Sequence, residues 1–248
     1  MTTQSPTPNK RAPRGIYLLP NAITTCALFA GFYAVVAAMK GIFDVAAMAI
    51  FIAMVADTLD GRVARLTKTQ SEFGAQYDSL SDLLAFGVAP ALVIYNWALI
   101  DLGKLGWLAA FFYAATGAMR LARFNTLPNT LPYFLGLPIP AAAAVIASVV
   151  WLGHDLGIPG HQIDILTAIL TVGIGGLMVS NFHYESFKKI DFNGRVPFMF
   201  LLVLLLILVS VAIDPPKVLF IVFLSYALSG PIMYIVNYFR VRRKKNGT

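Results

Sequence analysis

A single cysteine, Cys26, stands among 248 residues, which excludes a disulfide framework and a metal centre built on thiolates. Charge is scarce as well. Only 31 residues are Asp, Glu, Lys or Arg, histidine occurs three times, and about 144 positions, 58%, are apolar. A soluble domain carries roughly 25% charged residues, about twice the 12% found here, so the chain reads as a polytopic membrane protein. A spanning helix takes about 20 largely apolar residues, which makes seven or eight spans affordable and leaves roughly 30 residues for each span with its connection. No room is left for a separate soluble catalytic domain, so any chemistry must lie among the helices. A repeat of fixed period is also absent, and low-complexity sequence is confined to the two ends.

What charge there is lies unevenly. A net charge of +7 and a pI near 9.6 would indicate a nucleic-acid partner only if the cations formed one soluble face. Here they sit in short clusters between apolar runs, and no nucleic acid is expected. The runs are 17–38, 44–60, 83–101, 104–121, 134–152, 165–180, 197–213 and 217–239. With the N-terminus in the cytosol, Lys10, Arg11, Arg14, Arg62, Arg65, Lys68, Arg120, Arg123, Lys188, Lys189, Arg195, Arg240, Arg242, Arg243, Lys244 and Lys245 all face the cytosol, 16 of the 19 cations. Only Lys40, Lys104 and Lys217 fall on the other side. The positive-inside rule then predicts an all-α bundle of about eight transmembrane helices in the cytoplasmic membrane, with both termini cytosolic. Residues 1–15 read as a cytosolic tail. A cleaved signal peptide is the other reading of this end, against which stand Pro20, Asn21 and the length of the first apolar run. The oligomeric state is left open, a homodimer included.

The anions cluster more tightly than the cations: Asp57, Asp60, Glu72, Asp78 and Asp82, five of the twelve, fall within 26 positions. On a helix Asp57, Asp60, Gly61, Ala64 and Arg65 follow i, i+3, i+4, i+7, i+8 spacing and share one face, as do Asp78 and Asp82. A turn through Thr67, Thr69, Ser71 and Gly74 lets the second helix return antiparallel and oppose the two carboxylate pairs. Four converging carboxylates cannot all stay ionised without a counter-charge, because burial and like-charge repulsion both penalise the charged form. Divalent cations that prefer hard oxygen ligands supply it: magnesium or manganese first, calcium as the alternative. Two such ions a few ångströms apart are a common clamp for phosphoryl chemistry. Gly61 and Ala64 leave space beside them, and Arg65 offers a planar cation to a phosphate. The bland alternative is a charged cytosolic loop, which gives no reason for four carboxylates on matched faces.

The pattern D-x2-D-G-x2-A-R-x8-G-x3-D-x3-D, met at every fixed position from Asp57 to Asp82, resembles the signature of the CDP-alcohol phosphotransferases. That resemblance implies an integral membrane enzyme with a six-helix catalytic core, which moves a substituted phosphoryl group from a CDP-linked donor to an alcohol and releases CMP. It implies that Asp57, Asp60, Asp78 and Asp82 bind two metal ions, that Asp82 is also the general base, and that Gly61, Ala64 and Arg65 contact the donor nucleotide and its phosphates; Asn21, Asp60 and Gly74 are also expected at the donor. PNAIT at 20–24, RLARFN at 120–125, FLGLPIPAA at 134–142 and SNFHYESFK at 180–188 resemble the serine-using branch. The expected reaction is then transfer of the phosphatidyl group from CDP-diacylglycerol in the bilayer to the hydroxyl of L-serine, giving phosphatidylserine and CMP. Residues 16–195 would form the catalytic membrane domain, 196–239 two additional helices and 240–248 a basic cytosolic tail.

Several assignments have a second reading. A serine carboxylate needs a cation near the metals, and Arg120 and Arg123, followed by Asn125, offer an acceptor site; as pattern alone the two arginines read equally as a topological anchor. Asn21 binds the nucleotide or satisfies backbone left free at Pro20. Lys188 meets a phosphate or lies at the interface. Glycerol 3-phosphate, inositol phosphate or choline are the rival acceptors. A metal transporter is the non-enzyme rival, but it would carry its carboxylates at the bilayer midplane, whereas Arg62, Arg65 and Lys68 hold these at a boundary.

Overall fold

A computed structural model describes residues 18–126, 134–184 and 198–246. Among them run eight helices: α1 (Leu18–Met39), α2 (Phe43–Leu66), α3 (Glu72–Leu102), α4 (Lys104–Thr126), α5 (Ile139–Asp155), α6 (Asp164–Val179), α7 (Phe198–Ile213) and α8 (Pro215–Asn246). Three stretches, α1, α3 and Pro215–Val236 of α8, are each long and apolar enough to cross a bilayer unaided. The chain is a polytopic, integral membrane helix bundle.

Lipid is as apolar as a leucine side chain, so helices in a membrane gain little from hydrophobic sorting and associate through close packing of small residues. The sequence provides for this with alanine. Ala30, Ala34, Ala37 and Ala38 of α1 are buried against Ala46, Ala47, Ile50 and Ala53 of α2. At Gly31 a Cβ would stand 2.6 Å from the Ala85 Cα, so the backbones of α1 and α3 touch and no larger residue fits between them. Helix α5 is central, with every residue from Ala141 to Ser148 buried. Phe29, Phe32, Leu105, Phe111, Leu166 and Ile169 point outward, as lipid-facing side chains do.

Helix α3 is not uniform. It is α-helical over Glu72–Asp82, passes through a π-helical stretch at Leu83–Val88, resumes as α-helix at Ala89–Ile94, and widens again at Tyr95–Leu99. The first wide stretch starts directly after Asp82, where local widening re-aims side chains. Pro90 removes the amide that would meet the Phe86 carbonyl in an α-helix, and the buried Tyr113 hydroxyl of α4 donates to that carbonyl at 3.1 Å.

The apolar runs mark spans and not helix ends. Helix α2 continues six residues past position 60 and α3 begins at Glu72 instead of 83, because polar residues continue a helix freely once it leaves the apolar layer. Gly74, expected in the turn, lies in the first turn of α3. The run from 134 does not open as a helix: Phe134–Leu135 (β1) pairs antiparallel with His183–Tyr184 (β2), a two-residue exception to the all-helical pattern. Gly136, at φ +77°, turns the chain there, and Pro138 delays the helix to Ile139. Helix α8 runs through the basic residues as far as Asn246.

Candidate active site

The hairpin between α2 and α3 is closed by local hydrogen bonds. The Thr67 hydroxyl donates to the Val63 carbonyl at the end of α2, and the Thr67 and Thr69 hydroxyls lie 2.7 Å apart. Lys68 takes the left-handed conformation, φ +53°. Ser71, in extended conformation, caps α3 by accepting the Gly74 amide at 3.0 Å. The two helices therefore return antiparallel over a five-residue connection.

One carboxylate oxygen from each of Asp57, Asp60 and Asp78 falls within 4.8 Å of the others. Asp82, one turn beyond Asp78, faces Asp57 closely enough for the two carboxyls to share a hydrogen bond when one carries a proton. Asp60 is buried, and the Thr24 hydroxyl of α1 donates to its Oδ2 at 2.6 Å. The Thr24 carbonyl accepts from the Ser81 hydroxyl at 3.2 Å, so a single residue of α1 ties both acidic helices together. Anionic oxygens brought this close repel unless a cation lies between them, and hard carboxylate donors suit a divalent ion. The cluster is able to hold a metal ion.

Beside the carboxylates opens a cavity of about 450 Å³ lined by Asn21, Thr24, Asp60, Gly61, Ala64, Arg65, Thr69, Gln70, Ser71, Gly74 and Asp78, among others. All six residues expected at the donor nucleotide lie on its wall. The small residues make it roomy: a Cβ on Gly61 would project into open space with only Arg65 Nη2 nearby, at 4.0 Å, whereas one on Gly74 would meet Ser71 Oγ at 3.1 Å and Asn21 Oδ1 at 3.4 Å. Arg65 Nε donates to the Gly61 carbonyl at 2.9 Å, fixing the guanidinium on the rim.

The C-terminal end of α4 meets the same region. Arg120 is 7% exposed, with its guanidinium 4.6 Å from the Phe124 ring centroid. It lies within electrostatic reach of Asp82, and its Nε is a buried donor with no hydrogen-bond partner among the described residues. Arg123 donates to Asn181 Oδ1 at 3.0 Å and Asn125 Nδ2 to Ser79 Oγ at 3.2 Å. Arg120 is thus buried within electrostatic reach of Asp82, whereas Arg123 and Asn125 hold neighbouring segments. Lys188 lies outside the described residues. His154 approaches Asp44 at 4.0 Å, on the loop side of the bundle opposite the Asp cluster.

Thr24, Ser79, Ser81 and Asn181 escape a reading of motifs. Thr24 and Asn181 stand inside the PNAIT and SNFHYESFK strings, but only their partners, 36 and 58 positions away, give them roles.

Comparison with known proteins agrees with this geometry. The family model described as CDP-alcohol phosphatidyltransferase matches residues 17–179. A CDP-diacylglycerol–serine O-phosphatidyltransferase of Helicobacter pylori (strain ATCC 700392 / 26695) is 37% identical over 234 residues, covering 93% of this chain and 97% of the relative. Proteins of the same name are 36% identical in Methanocaldococcus jannaschii, over 75% of this chain and 82% of the relative, and 34% identical in Bacillus subtilis (strain 168), over 69% and 92%.

Proposed function

This chain belongs to the CDP-alcohol phosphatidyltransferase family, and we propose that it transfers the phosphatidyl group of CDP-diacylglycerol to the hydroxyl of L-serine, giving phosphatidylserine and CMP. The observation that carries this reading is the meeting, at one end of the bundle, of a carboxylate cluster, a cavity of about 450 Å³ and a buried arginine whose Nε has no partner among the described residues. The names of the relatives support the same donor and acceptor.

In this reading Asp57, Asp60, Asp78 and Asp82 hold two divalent cations, magnesium or manganese first and calcium as the alternative. When bound, such ions neutralise the diphosphate and the charge that develops on departing CMP. Asn21, Gly61, Ala64, Arg65 and Gly74 receive the cytidine and its phosphates, with Arg65 forked on a phosphate oxygen. Arg120 takes the serine carboxylate on the Nε–H that has no partner among the described residues, and so orients the serine hydroxyl toward Asp82. Asp82 accepts the hydroxyl proton as the oxygen attacks the phosphorus that bears diacylglycerol, and the bond from that phosphorus to CMP breaks in the same displacement. No covalent enzyme intermediate is needed. Lys188 is retained as a phosphate contact.

The test uses purified protein, CDP-diacylglycerol and a panel of labelled alcohols. Serine-dependent CMP release, lost in excess chelator, is expected; preference for glycerol 3-phosphate, inositol phosphate or choline over serine would overturn the acceptor. We also place the protein in the cytoplasmic membrane with the site and both termini cytosolic, on the strength of the 16 cations on that side. Cysteine labelling in a Cys26→Ser background should reach position 68 from the cytosol and position 157 from outside only, and the reverse pattern rejects this orientation.

A further inference from the structure

A π-helical turn carries one residue more than the α-turn it replaces, so the residues on its two sides are rotated against one another by about 100°, the angle of one helical residue. In α3 such a stretch, Leu83–Val88, separates the acidic half of the helix from its buried half. Asp78 and Asp82 precede it, whereas Ala89, Pro90, Ala91, Val93 and Ile94 behind it are all buried. With the buried half fixed in the bundle, the wide stretch decides which way the two aspartates point. It brings a carboxylate oxygen of Asp78 within 4.8 Å of those of Asp57 and Asp60; an uninterrupted α-helix would carry Asp78 about 100° away from them.

Three consecutive residues hold the wide stretch in place. Ala85 lies against Gly31 of α1, and Gly87 against α4, where a Cβ on Gly117 would come within 3.6 Å of the Gly87 Cα. Between them stands the buried Phe86, whose carbonyl accepts from the Tyr113 hydroxyl of α4 at 3.1 Å. The Ala89 amide meets the Leu84 carbonyl, five residues back. Pro90 then has no amide to offer the carbonyl of Ala85 in the wide register or of Phe86 in the α-register. In a membrane a carbonyl so deprived must find another donor. Helix α8 shows the same remedy: Pro231 withdraws the amide opposite Ala227, and the Tyr184 hydroxyl donates to that carbonyl at 2.9 Å. What sets the α3 case apart is its place, directly behind the carboxylates.

We propose that Tyr113 is a positioning residue for the carboxylate cluster: its bond to the Phe86 carbonyl keeps the wide stretch in α3, and that stretch aims Asp78 and Asp82 at Asp57 and Asp60. Deprived of the phenol, the carbonyl regains a donor only from its own helix, and the wide stretch then shares its population with narrower turns in which the aspartates point elsewhere. Affinity for a cation held by the cluster falls with the fraction of molecules that keep the competent arrangement. The inference rests on the reading of the cluster as a holder of divalent cations.

The experiment measures Mn²⁺ binding to the full-length protein in lipid, without substrates, by the loss of the free-ion electron paramagnetic resonance signal, and sets it beside steady-state kinetics. Tyr113→Phe removes only the hydroxyl and should weaken Mn²⁺ binding about 2- to 10-fold, up to the worth of one net hydrogen bond. In turnover the same variant should need correspondingly more metal, with the KM for serine and for CDP-diacylglycerol unchanged within twofold. Thr116→Val is the control, because it removes a buried hydroxyl whose bonds run to the Phe112 and Tyr113 carbonyls of its own helix. It should lower thermal stability and leave Mn²⁺ affinity unmoved. In a Pro90→Ala background, where residue 90 is again able to donate to Phe86, adding Tyr113→Phe should cost less than it does alone. Unchanged Mn²⁺ affinity in Tyr113→Phe, an equal loss in Thr116→Val, or an equal cost of Tyr113→Phe with and without Pro90 overturns the proposal. Absence of Mn²⁺ binding by the wild type overturns the metal reading and the proposal with it, so the two failures are told apart by which protein shows them.

Discussion

The proposed donor side and the proposed acceptor side of this site are built in opposite ways. The donor side is almost one hairpin: within 26 residues the chain supplies four aspartates, the small residues beside them and Arg65, and closes them with a five-residue turn. The proposed acceptor side draws Arg120 and Asn125 from α4 and Asn181 from the segment after α6; Asn125 reaches Ser79 of α3, Arg123 reaches Asn181, and Arg120 lies within electrostatic reach of Asp82. Elements close in sequence lose little entropy on meeting, so a hairpin can bear the electrostatic cost of crowded carboxylates. The acceptor side depends on the whole bundle being packed, and substitutions far from it can reach it.

The strongest way to break the comparison is to strike the hairpin. Asp57→Asn, Asp78→Asn and Asp82→Asn should each lower CMP release by about 10²- to 10⁴-fold, the usual worth of a positioned acid or base, for every acceptor alike, while the protein still inserts. Excess chelator should do the same to the wild type. Retained turnover by Asp78→Asn would show that the cluster is not the reaction centre. Asp60→Asn should be damaging as well, through the lost charge and the disturbed bond to Thr24.

Filling the cavity separates the two sides next. Gly61→Leu places a side chain in the space beside Asp60 and should raise the KM for CDP-diacylglycerol at least about tenfold, the equivalent of some 1.4 kcal/mol, with serine KM little altered. Unaltered donor KM would mean that the nucleotide lies elsewhere.

Arg120→Lys tests the other side. Lysine serves equally well as a topological anchor but cannot form a planar fork on a carboxylate. A lost charge-assisted hydrogen bond is worth about 1.5–3 kcal/mol, or roughly a 10- to 150-fold fall in kcat/KM for serine at saturating donor. Near wild-type kinetics would return Arg120 to the anchor reading. Arg123→Lys should cost less, because its bond is to Asn181 and not into the site.

The smallest effect is expected from Asn125→Ala. It removes a neutral hydrogen bond to Ser79 on the acidic helix and should lower kcat/KM for serine about 2- to 10-fold, near 0.5–1.5 kcal/mol. A loss as large as that of Arg120→Lys would make Asn125 a direct contact of the acceptor.

Composition and short-range spacing by themselves determined that this protein is a helical membrane bundle with an acidic hairpin at one end. Both follow from properties carried by a few adjacent turns: the length of an apolar run and the 3.6-residue period that puts Asp57, Asp60, Gly61, Ala64 and Arg65 on one face. Helix ends were less legible, since a turn of polar residues continues α2 and opens α3 without any apolar signal, and the two-residue pairing of β1 with β2 has no local signature at all. Only the tertiary structure sets Arg120 apart from Arg123, whose sequence surroundings are nearly alike, because burial and a donor without a partner among the described residues are properties of the packed state. It alone gave Thr24 its carboxylate 36 positions away and Tyr184 its carbonyl 43 positions away. A proline announces in the sequence that a carbonyl will be left open; which hydroxyl answers it depends on which helices come to lie side by side.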